Sequence, residues 1–294
     1  MIDIVNSIIT KVTIDNFPIL IKRDDLLNKD FSGNKARKFY YFFKNDFPHI
    51  NTIISYGSNQ SNAMYSLSVL AKLKGWNFIY YTYHISSQLQ KYPNGNYKEA
   101  LANGMQLIVD ENFDLTKLIL QKDQLFIDEG GAIQEAAYGI KILADELKQY
   151  VQQNNIKKLE VFLPSGTGTT ALFLQKYLDH KVITTPCVGD KEYLKKQFYI
   201  LEHNIQYHPT ILKPEKKFHF GKLYKQNYKI WQNIKKNTNI EFDLLYDPIG
   251  WQVFLKYLKY NYKPTTTYIY IHQGGLLGNV TMQERYIYKY GEDI

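Results

Sequence analysis

The stretch Ser32-Gly33-Asn34-Lys35-Ala36-Arg37-Lys38 joins a tight polar turn to a basic helix start. Aromatic residues follow at helical spacing, so we expect a loop that delivers Lys35 to the first turn of a helix. The helix dipole disfavours a cation there, and a lysine shielded by aromatic rings loses its proton more easily. A deprotonated amine is a nucleophile that can form a Schiff base. The plainer alternative is a solvated lysine at the start of a basic helix.

Arginine is scarce in this chain and is placed around that lysine. Only three of the 36 basic residues are arginines, and Arg23 and Arg37 flank Lys35. A guanidinium offers a planar fork of donors that a lysine cannot reproduce. We therefore infer that Arg23 and Arg37 hold a fixed geometry around the loop.

Composition bounds the class of protein. The 294 residues are 45% hydrophobic, which is enough for two domains or one large one, and a single cysteine allows no internal disulfide. No basic segment leads into an N-terminal apolar run, and no stretch approaches the ~20 apolar residues of a membrane span. We expect a cytoplasmic protein without a membrane segment, and we predict no metal site.

The net charge of +8 invites a nucleic-acid interpretation. The lysines are spread along the whole chain, however. Arginine, the residue that most often contacts bases and phosphates, is scarce here. We expect no nucleic-acid partner. A mildly positive surface also suits an anionic substrate and cofactor.

Two strand-loop-helix units carry polar loops. Residues 52–56 form a predicted strand that ends in Gly57-Ser58-Asn59-Gln60-Ser61-Asn62, and a helical pattern and a second strand follow, which predicts a parallel sheet. Residues 158–164 form another predicted strand, followed by Ser165-Gly166-Thr167-Gly168-Thr169-Thr170 and a helix. Amides, hydroxyls and the helix dipole make such a loop an anion cradle.

The run from Lys22 to Tyr40 resembles the pattern KRDDL…GGNKxRKLEY. That pattern is typical of pyridoxal-phosphate (PLP) enzymes with the tryptophan-synthase-β-like fold (fold type II), within the family of 1-aminocyclopropane-1-carboxylate (ACC) deaminases and D-cysteine desulfhydrases. The resemblance implies that Lys35 holds the cofactor pyridoxal 5'-phosphate as a Schiff base. Ser32 stands where the family has its first glycine.

Further segments resemble the family in the same order. Gly57–Asn62 is similar to GGxQSNH, which implies a role for Ser61 in proton abstraction or nucleophilic attack. It also implies that Asn62 contacts the substrate carboxylate or the cofactor, with Gln60 as a neighbour in the substrate site. Ala63 replaces the histidine of that pattern.

The loop after residue 164 resembles the family's SGTGGT phosphate loop, and Gln273-Gly274-Gly275 resembles the end of IHTGG, with Gln273 in place of threonine. The cofactor-binding residues that the resemblance implies are Lys35, Asn34, Asn62, Ser165, Gly166, Thr167, Gly168, Thr169 and Gln273.

The resemblance implies an α/β protein with two open, twisted, mostly parallel sheets flanked by helices, and PLP in the cleft between two domains. We expect a larger PLP-binding domain of residues 1–37 and 146–294, and a smaller domain of residues 38–145. We also expect a homodimer that acts on a small amino acid.

The chain departs from the family at its active-site tyrosines. One of these tyrosines lies in a glycine-flanked loop, and counting back from Asp247 places it at Tyr224, a predicted catalytic residue. The other follows the pattern DPxY, which reads Asp247-Pro248-Ile249-Gly250 here. Trp251 and Gln273 occupy positions where family members place a polar partner for the pyridine nitrogen, and neither is a carboxylate.

We therefore predict a PLP-dependent lyase or deaminase. The first reading is D-cysteine desulfhydrase-like β-elimination to pyruvate, ammonia and hydrogen sulfide. The alternative is ACC deamination to 2-oxobutanoate and ammonia. A glycine at position 250 weighs against ACC, because opening a ring without an α hydrogen needs an additional acid or nucleophile. A non-catalytic binder of PLP or of a small ligand is the third reading.

Overall fold

The computed structural model describes residues 4, 7–31, 33–291 and 294. Within these ranges the strands are β1 (Ile9–Ile14), β2 (Phe17–Arg23), β3 (Thr52–Tyr56), β4 (Asn77–Thr82), β5 (Met105–Val109), β6 (Gln124–Phe126), β7 (Leu159–Ser165), β8 (Lys181–Pro186), β9 (Thr210–Ile211) and β10 (Thr267–His272). Ser32, which opens the lysine stretch, lies outside the described residues.

The α-helices of the same ranges are α1 (Gly33–Lys44), α2 (Asn62–Lys74), α3 (Ser87–Lys91), α4 (Gly95–Ala102), α5 (Ala136–Gln153), α6 (Thr169–Tyr177), α7 (Lys191–Leu201), α8 (Lys225–Thr238), α9 (Asp247–Asn261) and α10 (Gly278–Tyr290). None of the helices within the described part of the chain is long and apolar enough to cross a membrane.

The strands form two sheets. The larger sheet has the order β1-β2-β10-β7-β8-β9 and is parallel except for the β1–β2 hairpin. That hairpin turns through Asp15 and Asn16, both with positive φ, which short polar side chains tolerate. The smaller sheet has the order β5-β4-β3-β6 and is parallel throughout. The predicted fold class, two mostly parallel sheets flanked by helices, is confirmed.

Helices cover both faces of the larger sheet, and successive strand residues show which face each helix covers. Val161 and Ile269 pack in one core with α5 and α6, whereas Phe162 and Tyr270 pack in another with α8 and α9. Side chains of neighbouring strand residues point to opposite faces, so both faces of β7 and β10 are buried. The smaller sheet shares its core with α1, α2 and α4.

The predicted domain boundaries fall inside helices. The boundary at residue 38 falls within α1, whose Phe39 and Phe42 belong to the core of the smaller sheet. The boundary at residue 146 falls within α5, whose Ile140 packs under the larger sheet while Ile142 packs against the core of the smaller one. The division into two domains at these residues stays a prediction.

Candidate active site

A cleft of about 1390 Å³ lies where several parallel strands end. Its walls include the loops after β3, β7 and β10, and these loops carry Ser61, Thr167 and Gln273. In open α/β sheets, ligands bind beyond the carboxyl ends of the strands. The fold therefore brings to one place the polar loops that lie far apart in the sequence.

Lys35 lies in the first turn of α1 and lines this cleft. Its Nζ donates to the Gly130 carbonyl at 3.1 Å, and Nζ of Lys38 donates to the same oxygen at 2.9 Å. Burial lowers the pKa of Lys35 to about 8, against the opposite effects of Lys38, Glu129 and Asp243. The direction of this shift is the one expected of a lysine that is shielded from water.

The neighbouring Lys38 also faces the cleft, and sequence reasoning missed it. Its Nζ lies 3.4 Å from Thr167 Oγ1 in the loop after β7. Burial and the neighbouring charge of Lys35 lower the pKa of Lys38 well below its usual value. An anion bound at this loop would relieve both effects, because it would supply the missing negative charge. The spacing of three residues from Lys35 on a helix was the available signal.

Strand β10 holds the lysine loop. The amide of Asn34 donates to the Gln273 carbonyl at 3.0 Å, and its side chain donates to Gln273 Oε1 at 3.0 Å. Gly33 has φ of +64°, and a Cβ there would lie 2.0 Å from the Gln273 carbonyl oxygen, so only glycine fits. Gln273 Nε2 donates to the Pro164 carbonyl at 2.7 Å. The Gln273 amide thus links the lysine loop to the end of β7.

Arg37 and Arg23 bind carboxylates in this region through bidentate pairs. Arg37 is buried and reaches both oxygens of Asp24, at 2.6 and 2.7 Å, and both oxygens of Glu146, at 2.9 and 3.1 Å. Arg23 binds both oxygens of Asp25 in the same manner, at 2.8 and 2.6 Å. Bidentate pairs of this kind fix geometry as well as charge. The two pairs of Arg37 anchor α1 to the turn after β2 and to α5.

The loop after β7 ends at the amino terminus of α6. Gly168 is the residue before the helix and has φ of +77°, and no side chain caps the first turn. Thr170 Oγ1 is buried and has no hydrogen-bond partner among the described residues. Free amides at a helix start together with an unpartnered hydroxyl suit a phosphate. The predicted Gly166, Thr167, Gly168 and Thr169 all line the cleft here.

The Ser165 hydroxyl is less available to a ligand than its position in the loop suggests. Its hydroxyl is buried and lies 2.6 Å from Thr184 Oγ1, which itself donates to the Leu163 carbonyl. The Ser165 proton is therefore already used inside the sheet. Any contribution of Ser165 to a ligand would come from the rest of the residue.

The loop after β3 places the predicted substrate residues on the cleft wall. Ser61 caps α2, and its Oγ accepts from the amide of Ala63 at 3.1 Å. Asn62 Oδ1 accepts from Asn96 at 2.7 Å, and its amide also hydrogen bonds to Asp243. Gln60 Nε2 donates to Asn94 Oδ1 at 3.2 Å. Asn62 therefore connects the smaller unit to the larger one.

Three residues singled out near the predicted tyrosine pattern do not line the cleft. The Tyr224 hydroxyl accepts a hydrogen bond from the His219 amide, and its ring packs on Phe218. Gly250 is buried within α9, where a Cβ would lie 2.5 Å from Tyr270 Oη. Trp251 stacks on Tyr270 with ring centroids 4.1 Å apart. Tyr224, predicted to be catalytic, therefore lies outside the residues that line the cleft.

The cleft holds instead the residues four positions earlier. Phe220, Tyr246 and Asp247 line it, in place of Tyr224, Gly250 and Trp251. The signal was present in the sequence, because Asp243-Leu244-Leu245-Tyr246 has the same Asp-x-x-Tyr spacing as the family pattern. Counting from Asp243 instead of Asp247 moves each of these three positions back by four residues.

Asp243 and Asp247 are buried acids of this wall. Asp243 Oδ1 accepts from the amides of Leu245 at 2.8 Å and Tyr246 at 2.6 Å, and burial raises its pKa to about 6. Asp247 accepts from the Tyr270 hydroxyl and from the Asp243 amide, and burial raises its pKa well above the usual value. Burial likewise raises the pKa of Tyr246, so its hydroxyl stays protonated.

Glu129 is a further acid in the cleft that the sequence did not single out. It opens a 3-10 turn, Glu129–Gly131, in the loop after β6. Burial and Asp128 raise its pKa, and the charge of Lys35 lowers it. No group of three or more His, Cys, Asp or Glu able to hold a metal ion occurs among the described residues.

Comparison with known proteins gives a fold. Sequence comparison matches the chain to no protein-family model and to no curated protein. Among solved structures, one described as an ACC deaminase homologue is 17% identical with a TM-score of 0.79, and the match covers 98% of this chain and 95% of that one.

Two further structures share the fold. A hydrogen sulfide-producing enzyme from Fusobacterium nucleatum is 14% identical with a TM-score of 0.64, covering 92% of this chain and 94% of that one. An L-serine ammonia-lyase from Rhizomucor miehei is 13% identical with a TM-score of 0.65, covering 98% and 99%. The chain therefore has the fold type II architecture that the sequence resemblance implied.

Proposed function

We propose that this protein is a PLP-dependent enzyme that releases ammonia from a small amino acid. The observation that carries the proposal is the position of Lys35. Its side chain is half-buried, burial lowers its pKa to about 8, and it lines the same cleft as the open start of α6. A lysine with a pKa lowered in this way has much more free amine near neutral pH than an ordinary lysine and can bind an aldehyde covalently, and the helix start can hold the phosphate of the same molecule.

The residues of the cleft fit PLP at its phosphate and at its aldehyde. The uncapped amides of α6, the unpartnered Thr170 hydroxyl and the Lys38 ammonium would hold the phosphate, and Lys35 would bind the aldehyde. Asp247 also lines the cleft, but both of its oxygens already accept hydrogen bonds and burial raises its pKa, so we do not assign it to the pyridine nitrogen. When bound, PLP supplies an electron sink for the substrate's Cα.

The chain's own groups would move the protons. Lys35, once replaced on the cofactor by the substrate amine, or Ser61 would take the proton from Cα. Tyr246 would act as a hydrogen-bond donor or acid, since burial keeps its hydroxyl protonated. The loop of Gln60, Ser61 and Asn62 would bind the substrate carboxylate at the start of α2.

D-Cysteine β-elimination to pyruvate, ammonia and hydrogen sulfide is our first candidate reaction. It needs one base for the Cα proton, and a thiol is a competent leaving group with a free pKa near ~8.5. Phe220 supports this choice. Counted from Asp243, it takes the position of the family's first tyrosine, and it has no hydroxyl. One of the structural neighbours is described as a hydrogen sulfide-producing enzyme.

ACC deamination is the second candidate, and one observation favours it. Counted from Asp243, Tyr246 takes the position of the family's second tyrosine and lies in the cleft, so the expected lack of that tyrosine no longer counts against ring opening. We also propose, on the resemblance alone, a homodimer in the cytoplasm.

The test is the visible absorbance of the purified protein, followed by an assay of its turnover. We expect purified protein to absorb in the visible range because of covalently held PLP, and to release a 2-oxo acid and ammonia from some D- or L-amino acid. D-Cysteine and ACC should be assayed side by side at equal enzyme concentration. A coloured protein that releases no 2-oxo acid from any small amino acid would instead indicate a non-catalytic binder.

A further inference from the structure

We propose that Asn96 is a positioning residue that fixes which end of the Asn62 amide faces the cleft, and thereby makes the substrate loop a donor toward a carboxylate. This role rests on the proposed function and adds to it a residue that acts from outside the cleft. It is carried by a chain of hydrogen bonds that runs from the Gln60 carbonyl to Asp243.

Asn96 lies behind the substrate loop. It belongs to the first turn of α4, is only 1% exposed, and is not among the residues that line the cleft. Its Nδ2 donates to the Gln60 carbonyl at 2.9 Å and to Asn62 Oδ1 at 2.7 Å. Both N–H groups of the Asn96 amide are therefore used on the loop that carries Gln60 and Asn62.

The Gln60 carbonyl decides the orientation of the Asn96 amide. A backbone carbonyl only accepts hydrogen bonds, so the nitrogen of Asn96 must face it and the oxygen must face away. Asn96 Oδ1 is then buried without a hydrogen-bond partner among the described residues, which destabilises the fold. The arrangement thus holds the substrate loop at the expense of the Asn96 oxygen.

This orientation passes on to Asn62. Because Asn96 donates to it, Asn62 presents its oxygen to α4, and its nitrogen hydrogen bonds to Asp243. A Cβ on Gly275 would lie 2.5 Å from Asn62 Nδ2 and 2.9 Å from Asp243 Oδ2, so the two groups lie side by side. A charged carboxylate only accepts hydrogen bonds, so Asn96 and Asp243 require the same orientation of the amide between them.

One N–H of Asn62 remains for a ligand. The nitrogen has two, Asp243 takes one of them, and Asn62 lines the cleft at the start of α2. An N–H donor beside a helix start attracts a carboxylate, whereas an amide oxygen in the same place would repel it. Asn62 therefore favours a substrate carboxylate only in the orientation that Asn96 imposes.

Asn96→Asp replaces the donors by acceptors with little change in shape. The new side chain would repel the Gln60 carbonyl and favour the reversed Asn62 amide, with its oxygen toward the cleft. Holoprotein is titrated calorimetrically with the D and L forms of alanine and alaninamide, which differ in having a carboxylate or a carboxamide. A carboxamide can donate as well as accept. We expect Asn96→Asp to lower the ratio of alanine affinity to alaninamide affinity by about tenfold, as for a lost hydrogen bond to a charged group.

Asn103→Asp is the matched control. Asn103 follows the last turn of α4, lies outside the cleft, and donates from Nδ2 to Ser68 Oγ in α2 at 3.1 Å. It links the same two helices without touching Asn62, so the affinity ratio should stay at the wild-type value. An unchanged ratio in Asn96→Asp, or an equal fall in both variants, would overturn the positioning role of Asn96.

Asn96→Ala serves if the aspartate variant does not fold. It removes both donors and adds no acceptor, so the ratio should fall less, by about threefold. Because Asn96 acts through Asn62, adding Asn96→Ala to Asn62→Ala should lower the ratio no further. An unchanged ratio in Asn96→Ala, or a further fall in the double variant, would overturn this role and leave the PLP site intact. Protein that holds no PLP, or holds it and binds no small amino acid, would overturn the proposed function as well.

Discussion

The backbone amide of Tyr246 donates a 2.6 Å hydrogen bond to the carboxylate of Asp243. The same carboxylate oxygen receives the Leu245 amide, so Asp243 closes the turn that precedes α9. This turn sets the Tyr246 ring against the phosphate-loop side of the cleft, where a Cβ on Gly166 would lie 3.5 Å from Tyr246 Oη. Asp243 is therefore the residue that positions the tyrosine, and Asn62 attaches the substrate loop to it.

We predict that Tyr246→Phe lowers kcat by about 10²-fold or more, because a positioned acid contributes that much to a proton transfer. Tyr224→Phe is the matched control and should leave kcat near the wild-type value, since its hydroxyl bonds to the His219 amide outside the cleft. Steady-state kinetics on any substrate that the protein turns over measures both. A larger loss in Tyr224→Phe than in Tyr246→Phe would reverse the assignment of the two tyrosines.

Capture of PLP by the apoprotein should depend on pH through Lys35. Its pKa is lowered from 10.5 to about 8, so the reactive free amine should increase about tenfold per pH unit below pH 8 and level off above it. An unperturbed lysine would keep gaining reactivity up to pH ~10.5. The visible absorbance after mixing apoprotein with PLP gives the rate.

The Lys35→Ala variant should show no borohydride-stable attachment, and trapping of PLP on another lysine would refute the assignment. The same shift affects stability. The unfolded chain binds more protons than the folded one between pH 8 and 10.5, so the Lys35 contribution to the free energy of unfolding rises with pH across that window.

Gly168→Ala should weaken PLP binding and destabilise the fold. A Cβ there would lie 2.4 Å from Phe198 and 2.6 Å from Leu194, in a residue with φ of +77°. Gly75→Ala is the control for backbone strain alone, because Gly75 has φ of +69° and no atom within 4 Å of the added Cβ. We expect a loss of about 1–2 kcal/mol in the control and more in Gly168→Ala.

Chemical denaturation and PLP titration measure the two effects separately. If both variants lose the same stability and Gly168→Ala keeps its PLP affinity, the close packing of the phosphate loop on α7 is unimportant.

Arg37→Lys should destabilise the protein although it keeps the charge. A lysine cannot bind both Asp24 and Glu146 through forks, and buried hydrogen bonds between charged groups contribute about 1.5–3 kcal/mol each. We expect a loss of about 3 kcal/mol in the free energy of unfolding. Arg23→Lys should cost less, because its single partner is Asp25 and its side chain is 15% exposed. Equal losses in the two variants would contradict the special role of the buried fork.

The fold was predictable because its signals are local and repeated. Each parallel strand, such as Thr52–Tyr56 or Leu159–Ser165, is an apolar run that ends in a polar loop and a helix. The lysine stretch was predictable for a different reason, since Gly33, Asn34 and Lys35 each do something that few other residues can do. The phosphate loop combines both kinds of signal.

The part of the cleft wall that carries Tyr246 was not predictable in the same way. Two consecutive segments, Asp243–Tyr246 and Asp247–Gly250, both begin with aspartate, and only the second has the proline of the pattern. What separates them is the start of α9 at Asp247, which turns Gly250 into the sheet and leaves Tyr246 facing the cleft. That orientation depends on packing against Tyr270 and Pro164, distant in sequence. Glu129 was missed for a similar reason, because a loop carboxylate gives no periodic signal.

The pairing of the larger sheet sets an order for folding during synthesis. Leu20 in β2 pairs with Ile269 in β10, so the first hairpin has no neighbouring strand in the larger sheet until the ribosome has made β10, about 250 residues later. The strands of the smaller sheet all lie between residues 52 and 126, so that sheet can form while the rest is still being translated. In the sequence, Lys35 lies between the first hairpin and the strands of the smaller sheet. Its loop docks on Gln273, so the surroundings of its reactive amine are complete only after residue 273 has been made.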